Sequence, residues 1–420
     1  MLPVGIGAKA RRTADERAER TQDNRMTERI VIKPGREKSL LRRHPWIFSG
    51  AIERIDGAPA SGATVEVVDA RGGFLARAAY SPASQIRARV WSFDPSEPID
   101  ELFFRRRIER AVDTRRRLGY LADDGACRLV FSESDGLPGF VVDRYAGHLV
   151  CQFLSAGADR WREAIVGALT DTLRPRAIHE RSEGAARRKE GLESRRGTIA
   201  EANGEAAVEY RSGRLRRRFV VGSGQKTGAY LDQQRNLERV ARHAQGARVL
   251  DAFAYTGAFA LTALLHGAEH ATLVESSGEA LAQARWDADA NGVASRCVAI
   301  EGNVFEELRA LRERGETYDL VVVDPPKFVH AANQVQAGSR GYKDVNLLAL
   351  QLVSKGGTLA TFSCSGHVDA ALFQKIVAGA AVDAGRDAQI IERLTQPPDH
   401  PVGLHFPEAE YLKGLLVRVF

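Results

Sequence analysis

The chain has 420 residues, 44% of them hydrophobic and 27% charged. At about 100 to 200 residues per domain that length predicts several domains, and the composition excludes wholesale disorder, collagen-like repeats and a coiled coil. Lysine plus arginine outnumber aspartate plus glutamate by 60 to 54, a formal charge of +6, and only 10 of the 60 are lysine; an arginine excess suits an anionic, phosphate-bearing partner, although a solvated arginine-rich surface reads the same way.

Residues 1–25 include RRTADERAERTQDNR and lack the apolar core of a signal peptide, which predicts a charged, disordered tail. From Glu28 to about Asp94 the short runs ERIVIKP, HPWIFSGAI, ATVEVVDA, GFLARAAY and QIRARVWSF are punctuated by Gly, Pro and Ser, the pattern of a small β-barrel. Phe104, Ile108, Ala111 and Val112 then recur at helical spacing with arginines opposite them, predicting an amphipathic helix closed by Gly119. CRLVF, GFVVDRY and HLVCQFL predict strands, residues 158–173 a helix and RAIHERS a further strand, together a small α+β module. Residues 183–218 read as a loop plus a hairpin. From Arg248 strand and helix alternate steadily until two final strands with no helix between them. That grammar predicts a Rossmann-like α/β domain, doubly wound and mostly parallel, with an antiparallel edge. The expected division is a tail at 1–25, a β-barrel domain at 26–97, a central α+β domain at 98–212 and an α/β domain at 213–420. A protein starting at Met26 is expected to keep its fold.

Cys127, Cys151, Cys297 and Cys364 are scattered, with no CxxC pair and no Cys/His cluster. Neither a disulfide framework nor a metal site is expected, and a reducing cytoplasm is the natural setting. The longest uncharged stretch, 252–268, is shorter than the roughly 20 residues that span a bilayer, so no membrane span is expected.

In a doubly wound sheet, ligands lie beyond the carboxyl ends of the strands. The residues that close the predicted strands are Asp251, Glu275, Asn303, Asp324 and Cys364. A lone strand-ending Asp is more often a helix cap than a ligand; the series carries more weight than its members. The first turn, DAFAYTGAF, has a single glycine, Gly257, where a dinucleotide turn would show GxGxxG, and Glu275 follows at the spacing of a ribose-binding acid. Together these favour S-adenosylmethionine over a nicotinamide cofactor. DPPKF at 324–328 ends an apolar strand with two prolines, a rigid edge that can set Asp324 against a flat base. Cys364 ends TFSC, one strand further on, before a polar turn with Gly366. A lone thiol is ordinarily a small hydrophobe; its place beside DPPKF makes it a candidate nucleophile.

SPASQIRARVW, ESDGLPG, RRKEG at 187–191, KTGAYLDQ, VVDPPKF, RGYKD, TFSCSG, LFQKI and AGRD are similar to motifs of the bacterial 23S ribosomal RNA cytosine-5 methyltransferase family RlmI, from about Met26 to Phe420. The resemblance implies an N-terminal PUA domain, a central α+β domain and a C-terminal class I methyltransferase domain using S-adenosylmethionine. It makes Cys364 the nucleophile and Asp324 the acid that contacts the target cytosine. Asp251, Phe253, Tyr255, Thr256 and Gly257 form the cofactor turn, with Glu275 and Ser276 at the ribose. Asn303 stands where many relatives have an acid beside the adenine, and Asp232, Gln233 and Pro325 complete the cofactor set. Lys327 occupies the place of a second cysteine found in other RNA cytosine-5 enzymes and, with Arg36, Arg42, Arg43, Arg87 and Arg89 of the PUA domain, is an expected RNA contact. The implied partner is 23S ribosomal RNA, naked or in a large-subunit precursor; a homodimer is left open. Two other readings are an RNA N-methyltransferase acting on an exocyclic amine, which would need no thiol, and an RNA-binding assembly factor with a vestigial catalytic domain.

Overall fold

The computed structural model describes residues 28–201, 207–220 and 228–420; the expected tail lies outside them. The first domain is a six-stranded sheet of β1 (Arg29–Ile32), β2 (Trp46–Phe48), β3 (Ile52–Asp56), β4 (Thr64–Val68), β5 (Phe74–Tyr80) and β6 (Ile86–Ser92), in the spatial order β2-β6-β5-β4-β1-β3. Strand alternation turns Val65 and Val67, Ala76 and Ala78, and Ala88 and Val90 to one side, where they join Ile30 and Ile32 in a single apolar cluster.

Helix α1 (Glu101–Arg117) starts where Asp100 accepts the Phe103 N–H at 2.8 Å. It buries Phe103, Phe104, Ile108, Ala111 and Val112 and stops before Gly119, which takes φ +79°. Those side chains cover a five-stranded sheet of β7 (Ala126–Phe131), β8 (Phe140–Tyr145), β9 (His148–Phe153), β10 (Ala177–Ser182) and β11 (Arg195–Glu201), ordered β11-β10-β9-β8-β7, together with helix α2 (Arg162–Leu173). β11 falls in the stretch expected to be a loop and hairpin. It pairs antiparallel with β10 as the sheet's edge, and its mostly exposed residues have no apolar face to leave a period in the sequence.

The strands β12 (Ala207–Ser212) and β13 (Leu215–Val220) pair along their whole length. The boundary expected at 212/213 falls in the turn of this hairpin, so the hairpin has to be taken as one unit. It touches both neighbours: the Arg211 N–H donates to the Asp124 carbonyl at 2.7 Å on the central side, and Asn291 bonds the Arg216 N–H at 2.9 Å and its carbonyl at 2.7 Å on the other.

The last domain has seven strands, β14 (Arg248–Ala252), β15 (His270–Glu275), β16 (Cys297–Glu301), β17 (Tyr318–Val323), β18 (Val353–Ser363), β19 (Ala388–Leu394) and β20 (Lys413–Val419). Their order is β16-β15-β14-β17-β18-β20-β19, with β20 antiparallel to both neighbours as expected from the missing last helix. Helices α3 (Gln234–Ala241), α4 (Ala258–Leu265), α5 (Gly278–Ala290), α6 (Val304–Glu313), α7 (Val335–Leu352) and α8 (Ala370–Asp383) pack against it. One apolar cluster holds Val249, Leu273 and Leu320, a second holds Leu250, Val274 and Val321. Successive strand residues are thus buried on opposite faces, which is why these strands read as unbroken apolar runs. β14 has β15 on one side and β17 on the other, the switch point that opens a crevice at the carboxyl ends. Among the described residues no helix is long and apolar enough to cross a membrane.

Candidate active site

A cleft of about 950 Å³ lies at that switch point. Asp251 within β14, Glu275 closing β15, Asn303 just past β16, Asp324 just past β17 and Cys364 just past β18 all line it. Asp232, Gln233, Phe253, Tyr255, Thr256, Ser276, Pro325 and Lys327 line it too. Gly257 is set back from the cleft. It takes φ +71° at the start of α4, and a Cβ there would stand 2.5 Å from Leu273 Cδ2, so its work is to let the turn close onto β15.

The turn after β14 is held in a costly shape. Phe253 and Tyr255 adopt φ +62° and +48°, a left-handed region that side chains disfavour. Two carboxylates hold it there: Asp251 Oδ2 accepts the Ala260 N–H at 3.0 Å, and Glu275 Oε2 accepts the Tyr255 N–H at 2.9 Å. Asp251 is 1% exposed, and burial pushes its carboxyl up to about 7 against the opposing bond from Ala260. Glu275 Oε1 also accepts from Ser276 Oγ at 3.1 Å and the Ser277 N–H at 2.9 Å. Asn303 Oδ1 accepts the Phe305 N–H at 3.0 Å, so the amide caps α6 while it borders the cleft.

The opposite wall is a chain of oriented amides. Asn236 Nδ2 donates to Gln233 Oε1 at 2.7 Å, which fixes the Gln233 amide so that its Nε2 donates to Asp324 Oδ2 at 3.1 Å. Beside it the Tyr411 hydroxyl donates to Asp232 Oδ2 at 2.6 Å. No disulfide joins the four cysteines, and of them Cys364 alone borders the cleft. Burial pushes Cys127 up to about 12 and Cys297 up to about 11, and Cys151 is raised further by the same cause. The turn after Cys364 is braced by Ser365, whose Oγ lies 2.9 Å from the Tyr342 hydroxyl and accepts the Val329 N–H at 3.3 Å. Lys413 Nζ donates to the Ser365 carbonyl at 2.8 Å and the Tyr411 carbonyl at 2.7 Å, fixing an ammonium at the same turn.

The expected RNA contacts separate into two kinds. Arg36, Arg42 and Arg43 are exposed on the first domain, and Lys327 is exposed at the cleft. Arg87 is half-buried and bonds the Pro82 carbonyl. Arg89 is corrected: its side chain is 13% exposed and lies 2.5 Å from Glu190 and 3.5 Å from Glu133, both in the central domain. Two carboxylates neutralise it, so it joins domains and is not available to phosphate.

Residues 30–93 match the PUA-like domain family, and residues 203–418 match the S-adenosylmethionine-dependent methyltransferase family. Ribosomal RNA large subunit methyltransferase I of Escherichia coli (strain SMS-3-5 / SECEC) is 48% identical over 396 residues, which cover 94% of this chain and 100% of that protein. The chain belongs to the ribosomal RNA large subunit methyltransferase I family. The protein of that name from Escherichia coli O157:H7 matches equally, at 48% identity over 94% of this chain. Among solved structures, a SAM-dependent methyltransferase from Streptococcus mutans superposes with a TM-score of 0.80 at 19% identity, covering 93% of this chain and 99% of that one. A methyltransferase complexed with SAH superposes with a TM-score of 0.81 at 18% identity, with the same coverage. The family fixes S-adenosylmethionine as the cofactor, and the cleft suits it. Its volume is that of a cofactor pocket, Phe253, Phe305 and Phe328 offer apolar faces, and Glu275 stands at the second strand end.

Reading the strand ends reached one side of this cleft only. Arg217, Tyr230, Phe305, Phe328 and Tyr411 also line it. Phe305 lies two residues past Asn303 and Phe328 within DPPKF, close enough to assigned positions to have been found. Arg217 and Tyr411 arrive from the β12–β13 hairpin and the loop before β20, and no local signal marks them.

Proposed function

We propose that this family member transfers a methyl group from S-adenosylmethionine to carbon 5 of a cytosine in 23S ribosomal RNA, in the cytoplasm, through covalent addition of Cys364 to carbon 6. The observation that carries the reading is that Cys364, of the four thiols, shares the cleft with Asp324 and the cofactor turn. Carbon 5 is too weak a nucleophile to attack a sulfonium unaided. Addition of the Cys364 thiolate to carbon 6 moves the electron pair of the 5,6 double bond onto carbon 5. The bound cofactor supplies an electrophilic methyl group. Asp324, oriented by Gln233, faces the base from the rigid DPPKF edge and hydrogen-bonds at ring nitrogen 3 and the exocyclic amine. A proton held against nitrogen 3 draws electrons from the ring and favours addition at carbon 6. After methyl transfer, loss of the carbon 5 proton restores the double bond and expels the thiolate. The base has to leave any helical stack to reach the cleft, and a PUA-like domain beside the catalytic domain supports an RNA substrate.

Cys364→Ala should abolish methyl transfer to ribosomal RNA while binding of S-adenosylhomocysteine stays within about twofold, because the thiol acts on the base. An RNA carrying 5-fluorocytidine at the target should trap the wild-type protein covalently, since fluorine at carbon 5 blocks the elimination. Turnover of the alanine variant within about tenfold of wild type, or no trapped adduct, would sink the mechanism.

A further inference from the structure

Arg217 is one of several arginines in the run RLRRRF, and nothing in that run sets it apart. The hairpin does. Alternation along β13 turns Leu215 and Arg217 inward and Arg216 outward, which leaves Arg217 6% exposed at the wall of the cleft. Its Nε donates to Asp287 Oδ2 on α5 at 3.4 Å, its Nη2 donates to Thr256 Oγ1 in the cofactor turn, and its guanidinium carbon lies 5.9 Å from the Tyr210 ring centre. Its Nη1 makes no hydrogen bond among the described residues. With Nε and Nη2 committed to Asp287 and Thr256, Nη1 is the part of the fork left to meet a ligand in the cleft.

The charges around the cleft say which part of a ligand that is. Among the described residues Arg217 and Lys327 are the cations in its wall, against the carboxylates Asp232, Asp251, Glu275, Glu301 and Asp324. Lys327 is exposed and belongs to the turn after β17; Arg217 is buried beside Thr256, at the start of α4. S-adenosylmethionine carries two positive charges, on its ammonium and sulfonium, and one negative charge, on its carboxylate. The acidic wall suits the first two and repels the third. We infer that Arg217 receives the carboxylate of the cofactor's amino-acid end, with Nη1 as the donor, while Nε and Nη2 hold the guanidinium plane against Asp287 and Thr256. Arginine's fork does this in one plane, which a single ammonium cannot. The inference rests on the cofactor alone and is independent of which base, or which atom of it, is methylated.

The test titrates the full chain by calorimetry with two ligands, S-adenosylhomocysteine and 5′-methylthioadenosine, which keeps adenine, ribose and sulfur and lacks the amino-acid end. Arg217→Met should weaken S-adenosylhomocysteine at least tenfold and leave methylthioadenosine within twofold of wild type, and the second titration also reports that the site is folded. Equal weakening of both ligands would mean that Arg217 only braces the Thr256 turn and would overturn the inference, as would no weakening of either. Should the methionine variant fail to fold, with Asp287 left alone, Arg217→Lys decides: it keeps the charge beside Asp287 and is expected to lose S-adenosylhomocysteine several-fold with methylthioadenosine unchanged. Unchanged affinity for both ligands in that variant would equally overturn it.

Discussion

Asp251 shows how one residue couples the cofactor turn to pH. Burial raises its carboxyl to about 7, while in an unfolded chain it titrates near 3.9. Between those values the folded state binds the extra proton, so stability falls as pH rises through the window from about 4 to 7 and levels off above it. Asp251→Asn removes the titration and keeps an oxygen for the Ala260 N–H. Thermal melts from pH 4.5 to 7.5 should therefore show the variant gaining on wild type as pH rises, and a pH-independent difference would disprove the assignment. At Cys364 the corresponding device is Lys413, whose ammonium is fixed at the same turn; burial lowers its own pKa and the neighbouring Cys364 opposes that shift. A fixed cation favours thiolate. Lys413→Met should move the pH midpoint of Cys364 alkylation by iodoacetamide upward, and Lys413→Arg should keep it near wild type. The acids and the thiol were legible in the sequence because each closes an apolar run. Arg217 was not, since its position is set by how the hairpin registers on α5, as the Asp287 contact 70 positions away records.

At the scale of elements, close approach explains both what holds the site and what hid from the sequence. The apolar run at 345–352 marks only the second half of α7, which begins at Val335. Gly338 and Gly341 lower the helical signal of its first half. Their role is steric. A Cβ at 338 would lie 2.3 Å from Val329 Cγ2 and 2.8 Å from the Phe328 carbonyl, and one at 341 would lie 3.3 Å from the Phe328 ring. The helix is thereby pressed onto the segment that follows DPPK, and Phe328 is held at the cleft. Gly338→Ala has to push these atoms apart, at about 1 to 3 kcal/mol by the usual cost of overpacking. Its melting temperature should fall and its affinity for S-adenosylhomocysteine should drop with it; an unchanged melt would mean the segment yields freely. The hairpin β12–β13 was legible, at the end of the stretch read as a loop plus a hairpin. The edge strand β11 was not, because an exposed edge buries too little apolar surface to imprint a period.

For the whole molecule the unanticipated feature is how tightly the three domains are joined. Trp91 and Ala79 of the first domain belong to the same apolar cluster as Phe104 and Val142 of the central one. Arg89 pairs with Glu190 and Glu133, and Trp46 Nε1 donates to Glu133 at 2.8 Å while its ring packs 4.8 Å from Phe406, in the loop before β20. That loop also reaches the central domain, where the buried Arg115 pairs with Asp135 at 2.8 Å and donates to the Asp399 carbonyl at 2.8 Å. Domain order and class were readable from local pattern; these joints were not, because each needs residues from segments far apart in the chain.

The joints decide how RNA binding has to be tested. Deleting the first domain would strip Trp91 from the central core and leave Glu133 and Glu190 without their arginine, so a loss of RNA binding would report unfolding as readily as lost contacts. Charge reversal at exposed positions avoids this. Arg36, Arg42 and Arg43 are exposed and far from the Arg89 joint in sequence, so Arg36→Glu/Arg42→Glu/Arg43→Glu should leave the melt within error. If each arginine neutralises one phosphate of single-stranded RNA, losing all three should flatten the slope of log affinity against log salt by about 2. Affinity for a ribosomal RNA fragment should fall most at low salt, while affinity for S-adenosylhomocysteine stays as in wild type. A slope and affinity unaltered in the triple variant would show that these arginines are a solvated face, and that phosphate is met elsewhere on the molecule.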